Sequence, residues 1–334
     1  MSGKKRSVPR TIGGVVASVL LLCAAAFLYF NQQFVKDQIS VWAYTPDASV
    51  QNVEERIDFT QKGKFYFYAT QPAVEDSESF NTHCERQEVG NPILGCYNSG
   101  RIYVYNVTDA QLDGIEEVTA AHETLHAVWE RMDVAEQKRI GALLDDAYQK
   151  LQGNADLTAR MQYYQRTEPG QFENELHSIL GTEVADLSPE LEAYYKQYFT
   201  DRQKVVDLHE KYNSVFVGLR NQADTLYDTL ASLRESIDTR TAQYNADITQ
   251  LSKDIATFNG RANGGDFTSL GEFNAERGAL VARSNQIEAD RAAISADIDS
   301  YNAKYAEYQK LTSQIETLNK SIDSIKDLQP APSV

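Results

Sequence analysis

Apolar and polar positions divide the chain into three stretches of different pattern. From Thr11 to Val35 there is no charged residue, and Val15 to Phe30 is nearly all apolar. About twenty apolar residues rising 1.5 Å each span a bilayer core, so residues 11–30 are expected to form a transmembrane helix. Ala24-Ala25-Ala26 runs on into Phe27-Leu28-Tyr29-Phe30, and Cys23 follows Leu22 rather than a small residue. The pattern suits an uncleaved signal anchor better than a cleaved leader. Lys4, Lys5, Arg6 and Arg10 precede it with no acid among them. Such a segment stays in the cytoplasm, which places the chain from about residue 31 outside.

Residues 31–200 have mixed patterning and the turn residues of a globular domain. Val50 to Phe59 reads as a short helix. Lys64 to Ala69, rich in aromatics and closed by Gln71-Pro72, reads as a strand. Ile93 to Tyr97 and Arg101 to Val107 flank Asn98-Ser99-Gly100, a three-residue loop suited to a bulged hairpin. A helix over about Leu112–Met132 turns Val118, Leu125 and Trp129 toward a core, and another covers about Val134–Leu151. After Pro169-Gly170, Gln171 to Leu180 forms a helix stopped at Gly181. Ser188-Pro189 supplies the cap and first-turn proline of a helix beginning near Glu190.

From about Asp201 apolar residues recur at spacings of three, four or seven, from Leu208, Tyr212, Val215 and Leu219 through Ile255 and Phe258. Glycines at 260, 264 and 265 interrupt the series, which resumes at Leu270 and Phe273 and runs to Ile322 and Ile325. This is coiled-coil spacing. Residues 201–328 are expected to fold back as an antiparallel helical hairpin with its loop at about 259–267, each arm about 90 Å long. The spacing serves equally for self-association between chains. Residues 329–334, with two prolines, form a loose tail. The fold class expected is mostly α with a small antiparallel β part.

Composition narrows the partners. The formal charge is −16, and outside the basic N-terminus 28 basic face 48 acidic residues. That balance argues against nucleic acid and anionic lipid as ligands. Cys84 and Cys96, twelve apart on the outer side, are most simply a disulfide, worth about 3 kcal/mol in the chain-entropy model. Metal ligation by the pair is the weaker alternative, since no second Cys or His pair with finger-like spacing accompanies it.

The candidate chemistry lies in His122-Glu123-Thr124-Leu125-His126. Helical residues four apart share a face, so both imidazoles can meet one metal ion, and the glutamate about 100° around the axis can reach its water. A third protein ligand is needed. The motif resembles that of zincins, of which the branch with a third histidine continues x-x-G-x-x-H; the six residues after His126 lack both, so the resemblance points to the branch that takes a glutamate from a later helix. Glu173 and Glu175 lie on opposite flanks of the apolar face of the Gln171–Leu180 helix, and Glu183 follows. Asn174-Glu175-Leu176-His177-Ser178 resembles the N-E-x-x-S segment of gluzincins, and with H-E-x-x-H the chain resembles that superfamily of zinc metallopeptidases over some fifteen residues. The resemblance implies Zn2+ held by His122, His126 and Glu175, with Glu123 as the base that activates water. It also implies a zincin-like α+β domain over 31–200, whose Arg101–Val107 region lines the cleft and binds extended substrate. His177 could donate to the oxyanion, as could Tyr163 or Tyr164.

The expectation is a membrane-anchored, single-pass, extracytoplasmic zinc metallopeptidase acting on peptide or protein. Two alternatives stay open. One is a zinc-dependent hydrolase of cell-wall peptides regulated through its coiled coil. The other is a coiled-coil scaffold or adaptor with an inactive or structural metal site.

Overall fold

The structure, a computed structural model, describes residues 8–84, 92–167 and 170–324. Lys4, Lys5, Arg6, Pro169 and the tail over 329–334 lie outside the described residues. The chain packs as two compact units, Met1–Val215 with Asn319–Val334, and Phe216–Leu318.

In the first unit the core forms around α6 (Ile115–Glu130), whose middle turns are buried on nearly every side. Against it lie α3 (Ala48–Ile57), α4 (Gln61–Ala69) and α9 (Phe172–Glu183). Beyond α6 follow α7 (Val134–Lys150) and α8 (Ala155–Thr167), which pack on α9, and α10 (Pro189–Tyr195). Caps fix several starts: the Asp47, Asp133 and Ser188 side chains accept from Val50, Glu136 and Leu191 backbone N–H groups.

The run over Lys64–Ala69 is helical, not a strand. Thr60 caps α4 by accepting from the Gly63 N–H, and Gly63 and Phe67, four apart, turn to the core. Tertiary burial overrides the β preference of the aromatics. The sheet is also mixed rather than antiparallel. β2 (Gly95–Asn98) and β3 (Arg101–Tyr105) form the expected hairpin, and β1 (Ala73–Glu75) pairs parallel with β3, giving the order β1-β3-β2. The hairpin turns on two residues, Ser99 and Gly100, both at positive φ, with Asn98 opposite Arg101, so no bulge is needed. Cys84, after α5 (Ser77–His83), and Cys96 on β2 are disulfide-bonded with Cα atoms 5.8 Å apart.

The stop expected at Gly181 does not occur. α9 continues to Glu183, and a Cβ on Gly181 would lie 2.4 Å from Leu125 Cδ1. There the glycine serves close approach of α9 to α6.

At the N-terminal end α1 (Val8–Phe30) gives way to α2 (Gln32–Ala43). Among the described residues no single helix is long and apolar enough to cross a membrane. Val15–Phe30 and α2 pass the length and composition criteria only as a pair, bent by 84°. The bend falls at Asn31, where polar residues begin, after the span expected over 11–30, which lies within α1.

The second unit is a pair of long helices, α11 (Gln203–Gly264, rooted in the first unit) and α12 (Leu270–Ile322). They run antiparallel, as the pairs Arg240–Asp297 and Arg283–Asp254 require. Leu230, Leu251, Ile287, Ile294 and Leu311 fill the seam. At the tip Phe258, Phe267 and Phe273 cluster, and Gly265 at φ 74° makes the turn. The helices persist closer to the turn than the 259–267 loop expected.

Candidate metal centre

One turn and a half of α6 brings His122, Glu123 and His126 together, with one possible ligand atom of each within 4.8 Å of the others. The Nε2 atoms of the two histidines lie 3.1 Å apart. The Glu175 carboxylate approaches from α9, at 3.4 Å from His126 Nε2 and 3.7 Å from His122 Nε2. Ligands 2.0–2.1 Å from a tetrahedral ion stand about 3.3 Å from one another. The two imidazole nitrogens and the Glu175 carboxylate, which turns Oε1 toward His126 and Oε2 toward His122, are therefore spaced nearly as such an ion requires. The donor set suits a divalent cation of the zinc kind, and the identity of a bound metal is not fixed by it.

The three acids considered for the third position are placed differently. Glu175 is buried and faces both rings. Glu173 is exposed and turns toward Gly141 on α7. Glu183 is engaged elsewhere, with Arg160 of α8 at 2.6 Å and His209 of α11 at 3.3 Å.

Burial alone would raise the Glu175 carboxyl, but the His126 and His122 imidazoles outweigh it and hold the group below the usual carboxylate range. It is thus an anion facing two nitrogen donors. The far side of His126 is fixed by Asn174 Oδ1, 3.0 Å from Nδ1, and by Ser178 Oγ at 3.3 Å. The Asn174 amide donates to Gln171 Oε1, which orients its carbonyl toward the ring. Nδ1–H then donates to Asn174, and the Nε2 lone pair points into the triangle. The first and last residues of Asn174–Ser178 thus have a shared purpose: four apart, both reach the same ring nitrogen.

His177 is not brought to this group. Its ring is fully buried among Trp129, Tyr194 and Tyr195, with Nε2 2.8 Å from the Tyr194 hydroxyl. Desolvation pushes its pKa well below the ordinary value. A neutral imidazole sealed in the core has no route to a substrate oxyanion. Of the two tyrosines, Tyr164 is the one near the acids. Burial, then the Glu175 and Glu123 charges, raise its hydroxyl, so it stays protonated.

The strand beside the site is also not the one expected. β3, with Arg101–Tyr105, lies in the middle of the sheet between two partners, so it cannot accept an added strand. The edge strands are β1 and β2, and it is β2 that lies against α6. Leu94 O accepts from Tyr105 N, which by alternation turns the main-chain groups of Gly95 and Tyr97 away from β3. Gly95 rests on α6: a Cβ there would lie 2.5 Å from Thr119 Cγ2 and 3.0 Å from Glu123 Oε1. Sequence reasoning missed Gly95, although a glycine inside a strand signals close backbone approach.

Compared with family models, curated proteins and solved structures, the chain matches none of them.

Proposed function

We propose that the chain is a membrane-anchored, extracytoplasmic zinc metallopeptidase that hydrolyses peptide bonds. The observation that carries the reading is the triangle of His122, His126 and Glu175 with Glu123 beside it. His122, His126 and Glu175 would hold Zn2+, which when bound lowers the pKa of a water and polarises the scissile carbonyl. Glu123 takes the proton from the attacking water and delivers it to the leaving amine. The protonated Tyr164 hydroxyl donates to the carbonyl oxygen as charge develops there. The Gly95–Asn98 edge receives an extended peptide as an added strand, which lays its backbone alongside Glu123. The bent α1–α2 pair supplies the anchor.

The test is metal content and hydrolysis measured together on the full chain in detergent. The expected result is one zinc per chain, lost in His126→Ala, with unfolded proteins cleaved by the wild type. Glu123→Gln should retain zinc and lose hydrolysis by about 10²-fold or more. Full activity in Glu123→Gln, or no zinc in the wild type, would sink the reading. Wall peptides belong in the same substrate panel, and preferential cleavage of them would redirect the assignment.

A further inference from the structure

α2 is amphipathic in the opposite sense to a helix packed on a soluble core. Placed at 100° per residue, Phe34, Val35, Gln38, Ile39 and Trp42 share an arc of about 140°. Phe34, Ile39 and Trp42 on that arc are exposed, Trp42 by 78%. Asp37, Ser40 and the C-cap Tyr44 occupy the other side, and these polar groups dock on the protein. Asp37, only 3% exposed, takes both its oxygens to Arg131, at 2.8 and 2.9 Å from Nη2 and Nε. The Ser40 carbonyl accepts from Gln71, and the Tyr44 hydroxyl donates to the Pro72 carbonyl. A helix that buries its carboxylate and shows its indole to the outside is built for an apolar medium on that side.

We infer that α2 lies along a lipid bilayer, with Phe34, Ile39 and Trp42 sunk into the interfacial layer and Asp37 clamped to the metal helix on the opposite face. This rests on the membrane anchorage proposed above and adds where the head meets the lipid. The occupant is indicated by continuity. α2 follows directly on Val15–Phe30, whose large apolar side chains are exposed along the length, and it turns from that segment by 84°. If the first helix enters the bilayer along its normal, the second runs in the membrane plane. Passage of α2 through the bilayer is opposed by its ion pair with Arg131, the C-cap residue of α6, which keeps it on the head. The Phe65 ring of α4 lies tilted beside that of Phe34, centroids 5.8 Å apart, and extends the apolar face. Trp42 suits the headgroup boundary, where indoles concentrate, and Lys36, exposed and about 60° beyond Ile39 around the helix, can reach the water. With acidic residues in excess over basic ones, the contact is apolar rather than electrostatic, and zwitterionic lipid suffices.

The experiment reads Trp42 directly. Trp42 and Trp129 are the only tryptophans, so the full chain carrying Trp129→Phe is reconstituted into phosphatidylcholine vesicles brominated at shallow or deep acyl positions. Emission is expected to fall about twofold or more with shallow bromines, less with deep ones, and to resist aqueous acrylamide, as an interfacial indole should. If Trp129→Phe does not fold, the difference between wild type and Trp42→Phe gives the same readout. Vesicle-bound chain whose Trp42 is quenched by acrylamide and not by bromines would overturn the inference and leave the anchor standing. An indole shielded from both quenchers would mean a second copy of the chain covers the face, which also overturns it. Chain that does not partition into vesicles would remove the anchorage and the inference together.

Discussion

The ring of His126 is held at both of its nitrogens, by Asn174 and Ser178 on one side and by the other site residues on the opposite side. That arrangement sets the tautomer before any ion arrives, which is how neighbouring groups raise the basicity of a ligating imidazole. Gly95 bears on the same few ångströms. Gly95→Ala should push the strand away from α6 or displace Glu123, because the new methyl would overlap Thr119 and crowd the carboxylate. Displacement of about 1 Å costs on the order of 10²-fold in turnover. For the hydrolase proposed, the expected outcome is that loss in kcat with zinc content retained and a lower unfolding temperature from the overpacked contact, and wild-type activity in Gly95→Ala would refute the contact's importance. At this scale the histidine pair and Glu123 were legible because one helical turn determines their spacing. Glu175 was legible only as one of three acids, since helical phase leaves two flanks open and α9's approach to α6 decides between them. Gly95 and Tyr164 were not legible as site neighbours: their relevance arises from what a strand edge and α8 meet in space.

Helix α9 collects its neighbours through residues at both ends. Near its start stands Glu175; at its last residue, Glu183, its side chain 10% exposed, lies between Arg160 of α8 and His209 of α11. Burial acts to raise the Glu183 carboxyl, and the Arg160 and His209 charges overcome it and lower the net value. A carboxyl depressed in the folded state contributes stability that is complete above its ordinary value of 4.5 and is lost as pH falls through the folded value. Urea midpoints measured from pH 7 down to 3 should therefore drop in the wild type below about pH 4.5. Glu183→Gln should begin lower at pH 7 and fall less on acidification. Parallel curves for the two proteins would show that Glu183 does not carry this dependence. The elements themselves were legible where apolar periodicity was long, as in α6, α7 and the two long helices. It failed at Lys64–Ala69, where a run of aromatics was read by propensity and Thr60 with Gly63 had the deciding voice. α2, α5, α8 and β1 were missed because each is short or docks through polar groups, so its hydrophobic signal is weak or faces outward.

For the molecule as a whole, the long helical pair is an excursion that leaves and re-enters the same unit. α11 departs beside Gly114, whose place a side chain would contest with Leu208, and Lys211 pairs with Asp113. After α12, Ser324 exchanges two hydrogen bonds with Asn81 on α5, across a separation of 243 residues. Both ends of the excursion are thus tied down in the first unit. Limited proteolysis at the glycine turn near Gly264 and Gly265 should yield two fragments that co-elute in native gel filtration and part only in denaturant. Fragments that separate without denaturant would show that these attachments and the helical seam do not hold the chain together. The same connectivity has a bearing on the order of events at the ribosome. Asn81 is made early but must wait for its hydroxyl partner until the last helix has been synthesised and has returned. Until then that flank of α5 is unfinished, and the nascent head exposes a gap which a chaperone or a premature protease would encounter first.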